Sequence, residues 1–141
     1  MKKLLTALLI VAGVAQAEVT TNLGATSDYR YRGISQTQNA PAIQGGIDYS
    51  HASGFYAGNW NSSVSSLVYT NGAGIETDLY AGYKKEIQGI TFDVGSYNYF
   101  YPRANTTART GSNFDTYEGY VGVSYRDLVS AKYSQTLGNG Y

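Results

Sequence analysis

Asp115-Thr116-Tyr117-Glu118-Gly119-Tyr120-Val121-Gly122-Val123-Ser124-Tyr125-Arg126 reads with a period of two. Tyr117, Gly119, Val121, Val123 and Tyr125 share one parity, and Glu118, Tyr120, Ser124 and Arg126 share the other. A period of two sends neighbouring side chains to opposite faces of a strand, whereas a helix would need 3.6. Asp115 is the one charge on the apolar parity, at the loop edge of the run.

The same pattern recurs on both sides of this stretch. Downstream, 129–136 carries Val129, Ala131 and Tyr133 on one parity. Upstream, 90–101 begins with Ile90, Phe92 and Val94, and 74–84 carries Ile75, Thr77, Leu79, Ala81 and Tyr83. In 42–51 the set is Ile43, Gly45, Ile47 and Tyr49, and in 19–32 it is Val19, Leu23, Ala25, Tyr29 and Tyr31. Run 55–63 leaves its parity open, because Phe55 and Ala57 oppose Tyr56 and Trp60. The charges Asp28, Arg30, Arg32, Asp48, Glu76, Asp78, Lys84, Asp93, Glu118, Arg126 and Lys132 all fall on the polar parity. Seven strands are expected. A soluble β-sandwich would alternate too, so the period alone leaves the class open.

The connections narrow it. Ala52-Ser53-Gly54, Lys85–Gly89 and Asp127-Leu128 are short, whereas Gly33–Pro41, 64–73 and 102–114 are longer and rich in Ser, Thr, Asn and Gly. Short and long connections alternate strictly, as in an outer-membrane barrel with short periplasmic turns and long external loops. A Greek-key sandwich has no reason to produce that order. Aromatic residues add a third pattern. Tyr49, Phe55, Tyr83 and Tyr125 fall at the short-turn ends, and Tyr29, Tyr31, Phe100 and Tyr117 at the long-loop ends. Two aromatic levels around an aliphatic belt suit a bilayer, whose headgroup region takes amphipathic rings. Tyrosine's strand preference explains the number of tyrosines but not the two levels. The fold class expected is an all-β, antiparallel, up-and-down transmembrane barrel.

Composition supports this and excludes much else. The 141 residues leave room for one domain, and only 14% are charged, against 15 Tyr and 17 Gly. The net charge of +0 provides no field to gather nucleic acid. With no cysteine there is no disulfide framework or thiolate metal site, and a single histidine rules out a site needing two imidazoles. Mean hydropathy is −0.29 despite 43% hydrophobic residues, because tyrosine supplies much of the apolar surface.

Residues 1–17 read as a signal peptide: Lys2-Lys3, an apolar run from Leu4 to Val14, then Ala15-Gln16-Ala17. The run is too short for a membrane anchor, which needs about 20 residues. The mature chain, 18–141, is expected to begin at Glu18, with 8 basic and 10 acidic residues, and to reach the outer membrane. Recovery of Glu18 as the N-terminus in the envelope fraction is the check.

Ser27-Asp28-Tyr29-Arg30-Tyr31-Arg32-Gly33-Ile34-Ser35-Gln36-Thr37, followed by Pro41-Ala42-Ile43-Gln44-Gly45-Gly46-Ile47-Asp48-Tyr49, resembles the TorF porin family. Gly54-Phe55-Tyr56-Ala57-Gly58 with Trp60, and Glu76-Thr77-Asp78-Leu79-Tyr80-Ala81-Gly82-Tyr83, are similar to its next signatures, as are Tyr99-Phe100-Tyr101-Pro102 and Ser130-Ala131-Lys132-Tyr133. The resemblance covers nearly the whole mature chain. It implies a Gram-negative outer-membrane protein that forms a channel, and it brings neither a substrate nor catalytic residues. The family's members are longer. Bacterial single-chain barrels close with an even number of strands, from about eight upward. Seven strands, with Leu137–Gly140 opening another loop, therefore read as the N-terminal part of a larger barrel; the aromatic Tyr141 follows no closing strand.

The candidate site is a charged lumen that serves ions or small polar solutes. Asp28, Arg30 and Arg32, at i, i+2 and i+4, are expected to form a positive strip near the outer mouth, about 7 Å apart per step. Asp48, Glu76, Asp78, Asp93 and Glu118 would form an opposing wall, with Lys132 also facing the lumen. Such fields select solutes at a constriction. Alternatively, the charges pair with one another and fill a narrow barrel. Tyr120 is expected to face the same wet lumen, and Val121 the lipid. No cofactor is expected. Glu76 and Asp78 could attract a hard cation, but two carboxylates on one strand make a poor metal site. An enzyme is not expected, since His51 beside Ser50 and Ser53 shows no convergence of a triad. The second functional reading is a non-conducting scaffold whose external loops bind a surface partner, with loop 102–113 and its Arg103 and Arg109 as the candidate surface. The oligomeric state stays open.

Overall fold

The computed structural model of the chain describes residues 17–104, 114–126 and 128–138. The leader up to Gln16, the centre of loop 102–113 with Arg109, Asp127 and Tyr141 lie outside the described residues. The fold is all-β. β1 (Ala17–Thr26) is followed by a small hairpin, β2 (Arg30–Tyr31) and β3 (Ile34–Ser35). Then come β4 (Ala42–His51), β5 (Phe55–Ser63), β6 (Ile75–Ile87), β7 (Ile90–Phe100), β8 (Thr116–Tyr125) and β9 (Val129–Gly138). The seven long strands form one antiparallel sheet in the order β1-β4-β5-β6-β7-β8-β9. It is open: β1 and β9 are its two edges.

Short turns join β4 to β5, β6 to β7 and β8 to β9, while longer connections carry the chain from β5 to β6 and from β7 to β8. Between β6 and β7 only Gln88 and Gly89 intervene, at φ 54° and 80°. Two consecutive left-handed residues are what the tight type I′ hairpin requires. The expected turn, Lys85–Gly89, is therefore shorter than the sequence suggested, and β6 continues to Ile87. At the lower end of the sheet, β1 reaches back to Ala17, which pairs with His51.

The first expected strand, 19–32, is corrected. Main-sheet pairing ends at Thr26, opposite Ala42, and the chain then turns into the β2–β3 hairpin. Arg32 and Gly33, at φ 49° and 88°, form another two-residue turn between Tyr31 and Ile34. Period-two alternation continued through Tyr29-Arg30-Tyr31-Arg32 and concealed this break.

The two faces of the sheet have opposite chemistry, and the apolar one is bare. Leu79, Val94 and Val121 are 45%, 51% and 56% exposed. Val121 lies between Val94 and Tyr133 in register, so a continuous apolar band crosses the strands. The other face buries Glu76, Asp78, Glu118, Ser62 and Thr116, with Glu76 only 1% exposed. A water-soluble sheet does the reverse. Run 55–63 now takes its place, with Phe55 and Ala57 on the apolar face and Tyr56, Trp60 and Ser62 on the polar one.

The sheet is curled around its polar face. The hydroxyls of Tyr56 on β5 and Tyr120 on β8 meet in a hydrogen bond, although these strands are three spacings apart, about 14 Å in a flat sheet. Gly82 and Gly95 lie opposite each other beneath those two rings, leaving the room the rings need. At the upper end the long connections close over the sheet. Val64, Tyr69, Tyr101 and Ala104 form a small apolar core there, with Tyr29, Val68, Tyr99 and Phe114 packed against it.

At the lower level Tyr49, Phe55 and Tyr125 are exposed on the apolar face as expected, and Phe55 meets Tyr83 edge to face at 5.0 Å. At the upper level Phe100 and Tyr117 do the same at 5.9 Å. Tyr29 and Tyr31 were expected in that upper ring, and this is corrected. Having left the main sheet, both turn to the polar face, where Tyr29 packs on Trp60 and Tyr31 on Tyr99.

Candidate functional site

The concave face is built from tyrosine–carboxylate pairs. Tyr56 donates to Asp93 at 2.6 Å, Tyr29 to Glu76 at 2.7 Å, and Tyr80 to Asp48. Each pair joins different strands or a loop to a strand, so the rings are laid across the sheet and not along it. The rings also meet one another. Tyr31–Tyr99, Tyr99–Tyr97, Tyr97–Tyr80 and Tyr97–Tyr120 have centroids 5.7, 6.0, 5.1 and 5.5 Å apart. An aromatic track therefore runs from the hairpin down the polar face. It follows from the parity of the acids: Tyr80 stands two residues after Asp78, and Tyr97 and Tyr99 continue the parity of Asp93. Apart from Tyr120, sequence reasoning overlooked these rings as lining groups, although that shared parity was the available signal.

The cations of this face sit on ring faces. Lys132 Nζ lies 3.7 Å from the Tyr120 centroid and 4.9 Å from that of Tyr97. Lys84 Nζ lies 5.7 Å over Tyr56. A ring's negative face attracts a cation by about 0.5–2 kcal/mol, depending on desolvation.

The expected positive strip does not form, and this corrects the reading of Asp28, Arg30 and Arg32 as one row. Arg30 turns to Asp28 at 2.6 Å and donates to Gly33 O and to Asn39 Oδ1 within the hairpin. Arg32 reaches instead across to Glu118 on β8, at 2.9 Å. Asp48, Glu76, Asp78, Asp93 and Glu118 share the concave side of the sheet with Lys132. Glu76 Oε2 and Asp78 Oδ1 are buried without a hydrogen-bond partner among the described residues. No group of three or more His, Asp or Glu is placed to hold a metal ion among the described residues.

Asp28 fastens the hairpin. The Ser35 hydroxyl at 2.5 Å, followed by Thr37 and Arg30, holds its carboxyl below the usual carboxylate range, against some desolvation. A carboxyl whose pKa is lowered on folding stabilises the folded form above the unfolded value, and the effect is lost as pH falls through the folded one. The hairpin is therefore expected to stay docked at about pH 5 and to loosen only below about pH 3.9, the ordinary aspartate value. Amide exchange at Tyr29 and Gln36 measures this, and loosening already near pH 5 would refute it. The Asp28→Asn variant should lose the acid dependence.

Between the hairpin and the upper ends of β7–β9 lies a cavity of about 490 Å3, lined by Tyr31, Arg32, Tyr99, Phe114 and Glu118 among others. Far from it, at the lower turn, His51 Nδ1 lies 2.6 Å from Ser53 Oγ and accepts the Ser53 N–H at 3.2 Å. That contact closes the turn locally.

The class defined here is a curled, antiparallel β-meander with an apolar convex face and a polar, tyrosine-lined concave face. The chain belongs to the family described as bacterial protein of unknown function (Gcw_chp), which it matches over residues 12–141. No curated protein and no solved structure matches it.

Proposed function

We propose that this chain forms part of a Gram-negative outer-membrane barrel of the TorF porin type, through whose charged lumen ions or small polar solutes diffuse. One observation carries the reading: the apolar side of the sheet is bare while Glu76, Asp78 and Glu118 are buried on the concave side. In water such a sheet would expose a large apolar surface. In a bilayer the apolar band meets lipid tails and the acids meet a wet interior. The protein is proposed to be a passive channel and not an enzyme, with the outer-membrane bilayer as its main partner.

The acids Asp48, Glu76, Asp78, Asp93 and Glu118 outnumber Lys84, Lys132 and Arg32 on the lining, so cations should pass in preference to anions. Planar-bilayer conductance of the full-length protein is expected to show discrete steps with a cation-positive reversal potential. The double change Asp48→Asn and Asp93→Asn should lower that preference. Anion preference in the unaltered protein would refute the lining described here. The second reading, a non-conducting scaffold, draws on the hydroxyls of Tyr56 and Tyr120, which meet over the concave face and narrow it. It predicts a folded, bilayer-inserted protein without steps.

A further inference from the structure

We propose that the cavity beneath the β2–β3 hairpin is a binding site for a small organic cation, an ammonium or guanidinium group carried on a flat ring, and that Arg32 is its built-in, displaceable occupant. The inference goes beyond passive diffusion and does not depend on whether the barrel conducts.

Arg32 already displays the recognition. Its guanidinium carbon stands 4.7 Å over the Tyr31 ring while Nη2 donates to Glu118 Oε2 at 2.9 Å. The Glu118 side chain is 8% exposed, whereas that of Arg32 is 60% exposed. The carboxylate is thus fixed in the wall, and its partner comes from the tip of a two-residue turn with most of its surface in water. Leaving would cost Arg32 little, because water is ready to solvate it. Glu118 cannot leave, and if deserted it would be an unpaired buried charge. An arriving cation removes that penalty.

The rest of the cavity fits the same guest. Its volume of about 490 Å3 suits a small ligand, and Tyr31, Tyr99 and Phe114 offer ring surface for a flat apolar body. Arg32 is the one cation among the described lining residues. Behind the wall, Asp78 stands opposite Tyr99 in register, and among the described residues it and Glu76 each hold a carboxylate oxygen without a hydrogen-bond partner. The local field and the ring faces therefore attract positive charge and repel an anion, which could bind only by drawing Arg32 off Glu118. Lys132 over Tyr120 and Tyr97 shows the same affinity of this face for a cation lower down.

The test is calorimetric titration of the full chain, folded in detergent micelles, with phenethylammonium, its neutral counterpart 2-phenylethanol and the anion phenylacetate. Phenethylammonium is expected to bind about tenfold tighter than 2-phenylethanol, as a charge-assisted hydrogen bond and a ring contact supply. Phenylacetate should bind most weakly. Arg32→Gln, which removes the resident competitor, should tighten phenethylammonium binding severalfold. Glu118→Gln should bring phenethylammonium and 2-phenylethanol level, and Tyr31→Leu should weaken the ammonium more than the alcohol. Equal or tighter binding of phenylacetate, weaker ammonium binding in Arg32→Gln, or no binding of any of the three would overturn the proposal. Conductance measured on the same variants reports separately on the channel.

Discussion

Val121→Arg is expected to destabilise the folded protein in lipid vesicles by about 2–4 kcal/mol, the cost of a cation on the lipid face near mid-depth of a bilayer. Val121 sits in the centre of the exposed apolar band, flanked by Val94 and Tyr133. Ser134→Arg provides the comparison, because Ser134 pairs with Tyr120 on the concave side, one residue further along β9. On the proposed barrel it should cost less than about 1 kcal/mol, because that side is turned away from lipid. Tyr120 itself is a poorer control than the sequence suggested. It is buried, bonded to Tyr56, and already has Lys132 Nζ 3.7 Å from its ring, so an arginine there adds repulsion and lost packing. Denaturant midpoints in vesicles measure the contrast. If the apolar face met water, Val121→Arg would be neutral or favourable, so even the sign of the effect is informative.

A second large loss is expected at the glycines beneath the crossed rings. A Cβ on Gly82 would run into the Tyr56 ring and stand 2.7 Å from Val94 O. On Gly95 it would stand 2.6 Å from both Ala81 O and the Tyr120 hydroxyl. Backbone oxygens in a paired sheet cannot step aside, so Gly82→Val and Gly95→Val should each cost about 1–3 kcal/mol or more through overpacking. Gly24→Val is the matched control, since a Cβ there has no neighbour within 4 Å among the described residues. Loss of heat-modifiable gel mobility in the first two variants, but not the third, is the expected outcome. Equal behaviour of all three would mean that the tyrosines do not fold across the sheet.

Much of this architecture was legible because the side-chain period of a strand is two and the two faces differ in chemistry. β4 and β5 begin and end where the alternation places them, and the apolar parity of β6, β7 and β8 is the exposed face. What escaped was the chain's departure from the sheet after Thr26. Tyr29-Arg30-Tyr31-Arg32 alternates as well as any strand, and only Gly33 hinted that Arg32 would turn left-handed. Once the chain has turned, parity no longer reports the face. Hence Tyr29 and Tyr31 lie inside, and Arg30 turns back on Asp28 while Arg32 crosses to Glu118. The acidic side of the site was readable from parity, since a residue's face follows from its place in a strand. Its partners were not, because Tyr56–Asp93 and Arg32–Glu118 join residues far apart in sequence through the curl of the sheet. Run 55–63 was ambiguous for a related reason: Trp60 and Tyr56 look apolar in a sequence, yet on the concave face they border hydroxyls and carboxylates.

The two-residue turn at Gln88-Gly89 also bears on how the chain finds its form. Closing so short a loop costs little chain entropy, and it pins the register of β6 against β7 at once, with Ile87 opposite Ile90. From β4 to β9 each new strand adds to the edge left by the one before, so at every step the partner is the segment just laid down. Contact order stays low across that stretch, which favours rapid growth by hairpins over a search for distant partners. β1 is different. It must wait for the whole β2–β3 segment to be threaded before it can reach β4, so the earliest part of the sheet in sequence belongs among the later ones in time.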